Sequence, residues 1–167
     1  NIAGDVFDEA IIKYVRFKYH LLIGKRTAED VKIAIGCVYP RTELVKHRIK
    51  GRNLITGLPQ YADVTSDEML ECLLEPAMKI TQEIQRILQS TPPELMGDIL
   101  SDGIIVTGAS AQIYGFDKLI ARKTEIPVRI ADNPATCVVE GAGKAIQFID
   151  DMDKKEYGVL NPLSDAY

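Results

Sequence analysis

Apolar positions recur at helical spacing almost from the first residue. Phe7, Ile11, Tyr14, Val15 and Leu22 fall near one face, while Asp8, Glu9, Lys13 and Arg16 lie mostly elsewhere. That pattern predicts an amphipathic helix. Asp5 is placed to accept hydrogen bonds from the orphan amides of the first turn, and Gly24 closes the unit. A second helix is expected to open at Thr27, with Asp30 at capping-box spacing, and to stop at Gly36. Residues 43–50 alternate and predict a strand. Gly51 and Arg52 are expected to break it, Asn53 to Thr56 to pair weakly, Gly57-Leu58-Pro59 to turn, and residues 60–64 to form a further short strand. The result is a small β element between helices.

Thr65 and Glu68 form a second capping box ahead of a long apolar stripe. Met69, Leu70, Leu73 and Leu74 should be buried, and Ile80, Ile84, Ile87 and Leu88 continue the stripe. Pro76 interrupts it, as a kink or as the first residue of a new helix. Thr91-Pro92-Pro93 reads as a stop and a restart, with a short helix carrying Leu95, Ile99 and Leu100. The continuous run Gly103-Ile104-Ile105-Val106-Thr107-Gly108 predicts a buried strand. A Gly115–Lys123 helix, a second strand over Pro127 to Ile130 and a turn at Asp132-Asn133-Pro134 follow. A last helix is expected over 135–149, with Val138, Val139, Ala142, Ala145, Ile146 and Ile149 on its apolar stripe, and the tail from Asp150 should fray.

Composition narrows the class only a little. The 167 residues suit one core with a smaller appended unit, and 46% apolar with 26% charged residues is ordinary globular composition. Net charge is −4 with no long basic run, so no nucleic-acid partner is implied. Cys37, Cys72 and Cys137 lack CxxC spacing and read as small buried hydrophobes in a reducing cytoplasm. His20 and His47 lack metal-ligand spacing, and His20 reads as a helix-end residue. No apolar run approaches the roughly 20 residues of a membrane span. The chain begins at Asn1 rather than Met, which predicts a start inside a longer gene product.

Four motifs occur in order: Ala3-Gly4-Asp5-Val6-Phe7-Asp8-Glu9-Ala10, Gly24-Lys25-Arg26-Thr27-Ala28-Glu29-Asp30-Val31-Lys32, Thr91-Pro92-Pro93-Glu94-Leu95 and Ile105-Val106-Thr107-Gly108-Ala109. With Gly51-Arg52-Asn53-Leu54-Ile55-Thr56-Gly57-Leu58-Pro59 between them, the chain resembles the C-terminal half of MreB-type bacterial actins, the rod shape-determining proteins, over about residues 3–149. The resemblance implies an α/β, actin-like ATPase (ribonuclease-H-like) fold, here the second domain plus the C-terminal helix that returns to the first. By analogy residues 1–74 are the outer subdomain, 75–133 the incomplete inner subdomain, and 134–167 the returning helix and tail. It further implies a cytoplasmic, membrane-associated filament subunit that sets cell shape, with ATP and Mg²⁺ as cofactors of the intact protein. Its implied partners are further copies of itself and the cell-shape and cell-wall synthesis proteins at the inner membrane.

The resemblance also implies site residues. Glu29 and Lys32 lie on neighbouring turns of one helix face. A carboxylate there can accept hydrogen bonds from both ribose hydroxyls, and a lysine stem can pack on a purine while its ammonium stays wet. In the family this helix lines ribose and adenine, which brings in Glu29, Asp30, Val31 and Lys32. The plain alternative is an exposed ion pair. The turn after the Ile104–Thr107 strand, Gly108-Ala109-Ser110-Ala111, supports the nucleoside in the family, and its plain alternative is a tight strand-to-helix turn. Ala109 and Ser110 stand where the family has glycines; a positive φ at either would cost about 1–2 kcal/mol. Gly4 matches a glycine that approaches the ribose, or is simply a helix-entry glycine.

The family's phosphate hairpins and catalytic residues precede the first residue here, so no catalytic residue is nominated and the chain alone is expected to lack ATPase activity. Asp5, Asp8 and Glu9 read as a solvated first turn. Rival readings are a DnaK-type chaperone of the same fold, which resembles this chain in the helix pattern Ala28-Glu29 to Lys32, a sugar kinase of that fold, and a truncated, non-hydrolysing regulator. One edge of the Ile104–Thr107 strand and the apolar face of the last helix are expected to lie open.

Overall fold

The computed structural model describes residues 3–147. Helix α1 spans Gly4–Tyr19 and ends at His20, in the left-handed region at φ 51°. Strand β1, Leu21–Leu22, follows at once, so Leu22 belongs to a sheet and not to the helical stripe. Ala3, not Asp5, is the N-cap, and no side chain caps the helix. Helix α2 spans Lys25–Ile35. It starts two residues before Thr27 because Gly24 is extended and its carbonyl already accepts the Ala28 amide at 3.1 Å. Thr27 is therefore inside the helix, and the expected capping box does not form.

Strands β2 (Lys46–Asn53) and β3 (Pro59–Thr65) form an antiparallel hairpin, in register from Lys46 opposite Thr65 to Arg52 opposite Pro59. β1 pairs antiparallel on the other side of β2. Gly51 does not break the strand. A Cβ there would meet the Leu22 carbonyl oxygen at 2.5 Å and the Leu21 side chain at 2.7 Å. The glycine lets β1 lie close, one of the usual reasons for glycine inside a strand. Asn53 closes the hairpin turn, its side-chain oxygen accepting the Ile55 and Thr56 amides at 2.7 and 2.9 Å.

Helix α3 is a single element, Ser66–Ser90, that carries Pro76 in its interior. The capping box at its start is complete: Thr65 Oγ1 accepts the Glu68 amide at 3.4 Å and Glu68 Oε2 accepts the Thr65 amide at 2.6 Å. Met69 and Leu73 are buried, whereas Leu74 is exposed. Helix α4, Pro93–Asp102, restarts after Pro92 as expected. Strands β4 (Ile104–Val106) and β5 (Val128–Ile130) pair in parallel, linked through a short 3-10 helix at Ala109–Gln112 and helix α5, Phe116–Thr124. β4 is not fully buried: Ile105 is 50% exposed, and among the described residues β4 has only β5 beside it. Helix α6 spans Cys137–Gln147, and the predicted stripe residue Ile149 lies outside the described residues.

One core joins these elements. Phe7, Ile11 and Val15 of α1 pack with Ala28, Val31 and Ile35 of α2, with Leu21, Ile49 and Val64 of the three-stranded sheet, and with Met69, Leu73 and Ala77 of α3. Phe116, Leu119 and Ile120 of α5 join the same cluster, and the Phe7 and Phe116 rings meet edge to face at 6.5 Å. The division expected between residues 74 and 75 falls inside α3.

Candidate functional site

An open cavity of about 690 Å³ lies where the N-terminus of α1, one face of α2 and the turn after β4 converge. Its volume is in the range of small-molecule sites, roughly 300–1,000 Å³. α1 contributes Gly4, Asp5 and Asp8, with Ala3 just before it. α2 contributes Glu29, Lys32 and Ile33, which share a face because residues three and four apart on a helix are neighbours. The turn contributes Gly108, Ala109, Ser110, Gln112 and Ile113.

The turn has a backbone suited to close approach. Gly108 sits at φ 93°, a region that favours glycine, and a Cβ there would find open space. Its amide donates to the Pro134 carbonyl at 2.6 Å. Ala109 and Ser110 enter the 3-10 helix without positive φ, so the strain expected of these non-glycine residues is not incurred. The far end of the turn is tied to α2. Tyr114 donates its amide to the Gly36 carbonyl at 3.3 Å and accepts the Val38 amide at 3.0 Å. The Arg41 guanidinium stacks 4.2 Å from the Tyr114 ring centre and donates to the Gly36 carbonyl at 3.3 Å.

Lys32 is not the wet lysine that its sequence context suggests. Its ammonium lies 2.7 Å from Asp8 Oδ1 and 3.5 Å from the Gly4 carbonyl oxygen, and its side chain is 11% exposed. Asp8, read from sequence as part of a solvated turn, is 7% exposed. The lining carries three carboxylates, Asp5, Asp8 and Glu29, against one ammonium, Lys32, a formal charge of −2. Such a lining favours hydroxyl and amine donors and disfavours phosphate. Gly4 sits against the same pair: a Cβ on it would meet Lys32 Nζ at 3.4 Å and Ser110 Oγ at 3.6 Å, ordinary contact distances. The packing of this chain therefore does not itself require glycine at position 4.

Six of the nine residues expected from sequence, Gly4, Glu29, Lys32, Gly108, Ala109 and Ser110, line this one cavity. Val31 and Ala111 are buried and Asp30 is exposed, and none of the three lines it. Ala3, Asp5, Asp8, Ile33, Gln112 and Ile113 also line it and were missed. The one available signal for Asp8 was its position one helical turn after Gly4 and between the core residues Phe7 and Ile11. Among the described residues no cluster of histidine, cysteine or acidic side chains could hold a metal ion.

The family model described as MreB/Mbl protein matches residues 1–154. The chain belongs to the MreB/Mbl family. It is 44% identical over 155 residues to the cell shape-determining protein Mbl of Bacillus cereus, covering 93% of this chain and 46% of that protein. Against the cell shape-determining protein MreB of Escherichia coli K12 the identity is 45% over 150 residues, 90% of this chain and 43% of the relative. The crystal structure of MreB5 of Spiroplasma citri bound to ADP superimposes with a TM-score of 0.87 at 38% identity, over 92% of this chain and 47% of that one. The fold is therefore the actin-like ATPase fold, and the chain spans less than half the length of the curated MreB/Mbl relatives it matches. Membership in the MreB/Mbl family also decides against the chaperone and sugar-kinase readings.

Proposed function

We propose that the cavity is the nucleoside-side part of an ATP site, and that the chain is part of a filament-forming MreB/Mbl protein that helps set cell shape. The observation that carries the site is the convergence of three distant segments, at Gly4, at Glu29 and Lys32, and at Gly108 to Ser110, on one cavity of ligand size. The residues present fit a nucleoside. Glu29 is an exposed acceptor for vicinal hydroxyls, Ile33 is an exposed apolar side chain beside it, and Gly108 leaves the backbone uncovered. They fit phosphates poorly, given the net negative lining. The phosphates and Mg²⁺ are thus assigned to the part of the protein that this chain does not contain. MreB5 of Spiroplasma citri, in its ADP-bound structure, is the nucleotide-binding relative that supports the assignment.

On this reading α1, α2 and the three-stranded sheet correspond to the outer subdomain, and α4, α5, β4 and β5 to an incomplete inner one. α6 corresponds to the helix that returns toward the first domain. Further copies of the protein, and cell-wall synthesis proteins at the inner membrane, are its proposed partners.

Calorimetry with ATP on the 167-residue chain tests the site. The expected dissociation constant is about 0.1 mM or weaker, equivalent to roughly −5.5 kcal/mol or less favourable, since only nucleoside contacts are available. Glu29→Ala should weaken binding further, and Ala109→Gly should leave it unchanged. Micromolar affinity, or binding indifferent to Glu29→Ala, would refute the assignment.

A further inference from the structure

The Asp8–Lys32 pair is the most enclosed charged contact at the cavity. Both side chains are about nine-tenths covered, their charged atoms are 2.7 Å apart, and both line the cavity. Yet Asp8 Oδ1 receives no properly directed hydrogen bond among the described residues, because the ammonium approaches it off-line. A carboxylate covered in this way is costly unless its partner stays in place. The ammonium is simultaneously drawn toward the Gly4 carbonyl, one helical turn before Asp8. Lys32 is thereby held down on the first turn of α1, with its charge directed toward the helix. The pair also ties α2, the helix that carries Glu29 and Ile33, to α1.

We propose that Asp8 is a positioning residue of this cavity, acting on the ligand through Lys32. By holding the ammonium on the floor, it keeps that charge out of the space beside Ile33, whose exposed side chain is left as the apolar surface for a flat ring. The same pair fixes the spacing between α2, which carries that surface, and the start of α1. Without Asp8 the ammonium is free to swing into the space the ring would occupy. This inference rests on the nucleoside reading of the cavity.

Two measurements on the full 167-residue chain test it. The first is the ¹⁵N-resolved lysine ammonium spectrum at low temperature, without ligand. Lys32 should give a slowly exchanging resonance that disappears in Asp8→Asn. The second is calorimetry with ADP as the probe. Asp8→Asn should lower affinity by about fivefold, the scale of a typical coupling between contacting residues. On a Lys32→Met background, which keeps an aliphatic stem but removes the charge, Asp8→Asn should cause no further loss. A merely structural role would lower affinity on both backgrounds, and that result would overturn the proposal. So would unchanged ADP affinity in Asp8→Asn alongside normal binding by the unmodified chain, an outcome that leaves the nucleoside reading standing. If the unmodified chain binds no ADP although its Lys32 resonance is protected by Asp8, the nucleoside reading fails and takes the ligand role of Asp8 with it. Should Asp8→Asn not fold, Asp8→Glu keeps the charge and lengthens the side chain. A displaced ammonium resonance with weakened ADP binding then supports the proposal, and a displaced resonance with unchanged binding overturns it.

Discussion

Glu68 shows how much one side chain can organise. Its Oε1 accepts the Tyr19 hydroxyl at 2.6 Å and lies 2.7 Å from the Lys18 ammonium, while Oε2 accepts the Thr65 amide. It thus closes the capping box of α3 and ties the end of α1 to the start of α3. Burial pushes the Glu68 carboxyl up, but Lys18, Tyr19 and Thr65 outweigh burial and hold it below the ordinary carboxylate value. The Tyr19 phenol moves the other way, to about 12, through burial and its bond to Glu68. Because the folded value of Glu68 is depressed, its contribution to stability is complete above the unfolded value of 4.5 and fades as pH falls through the lower folded value. Glu68→Gln should destabilise the chain by about 1–2 kcal/mol at neutral pH, the scale of a lost cap and a charged hydrogen bond. The difference in melting temperature between the two proteins should narrow as pH falls below that of an ordinary carboxylate; a constant difference in calorimetric scans would contradict the assignment. The capping box was legible in the sequence, because Thr and Glu at three-residue spacing carry a mechanism of their own. The tie to Lys18 and Tyr19 was not, since it joins residues about fifty apart. Asp8 was hidden for the same reason: its burial comes from α2 lying across it, and nothing in the local sequence shows that.

Among the elements, long ones with a strong period were the easiest to read, and short ones held by tertiary contact the hardest. α1 and α3 were predicted from their stripes, and α2 from a start signal at Thr27 and Asp30 that does not form and a stop at Gly36 that does. Leu22 sits at a helical interval and still joins β1, because Arg52 of β2 pairs with it. Gly51 has the look of a strand breaker, and its real role depends on the neighbouring β1 backbone. Gly115 presents a comparable case with a sharper consequence. It lies at φ 77°, and a Cβ there would overlap the Tyr39 side chain. The position also follows Tyr114, whose backbone bonds tie the cavity turn to the end of α2. Gly115→Ala combines left-handed strain of about 1–2 kcal/mol with displacement of a packed neighbour, about 1–3 kcal/mol. Chemical denaturation should show a loss of about 2 kcal/mol or more, and hydrogen exchange should show the Tyr114 amide losing protection. A loss below about 0.5 kcal/mol, the scale of an ordinary surface change, would mean that the segment relaxes freely and does not hold the turn.

At the scale of the whole molecule, two apolar surfaces are open among the described residues. β4 pairs with β5 alone among the described residues, and Ile105 is half exposed. On α6, Val138, Val139 and Ile146 are 69%, 73% and 68% exposed, and Ala142 and Ala145 are exposed with them. Helical spacing collects these five residues on one stripe, larger than the scattered apolar residues of an ordinary surface. An open strand edge and an uncovered apolar helix are both routes to association. The isolated chain should therefore self-associate, with its sedimentation coefficient rising with concentration. Replacing one buried aliphatic side chain by a charge removes about 1.5–3 kcal/mol of burial, so Ile146→Glu should weaken association by roughly ten- to a hundredfold. It should leave the melting temperature nearly unchanged, because an exposed residue contributes little to the fold of its own chain. A monomer at high concentration by light scattering, with strong amide protection along residues 138–147, would show that α6 is covered within its own chain. A fall in melting temperature equal to that of a core substitution would show the same thing by another route, since only a packed Ile146 can cost the fold that much.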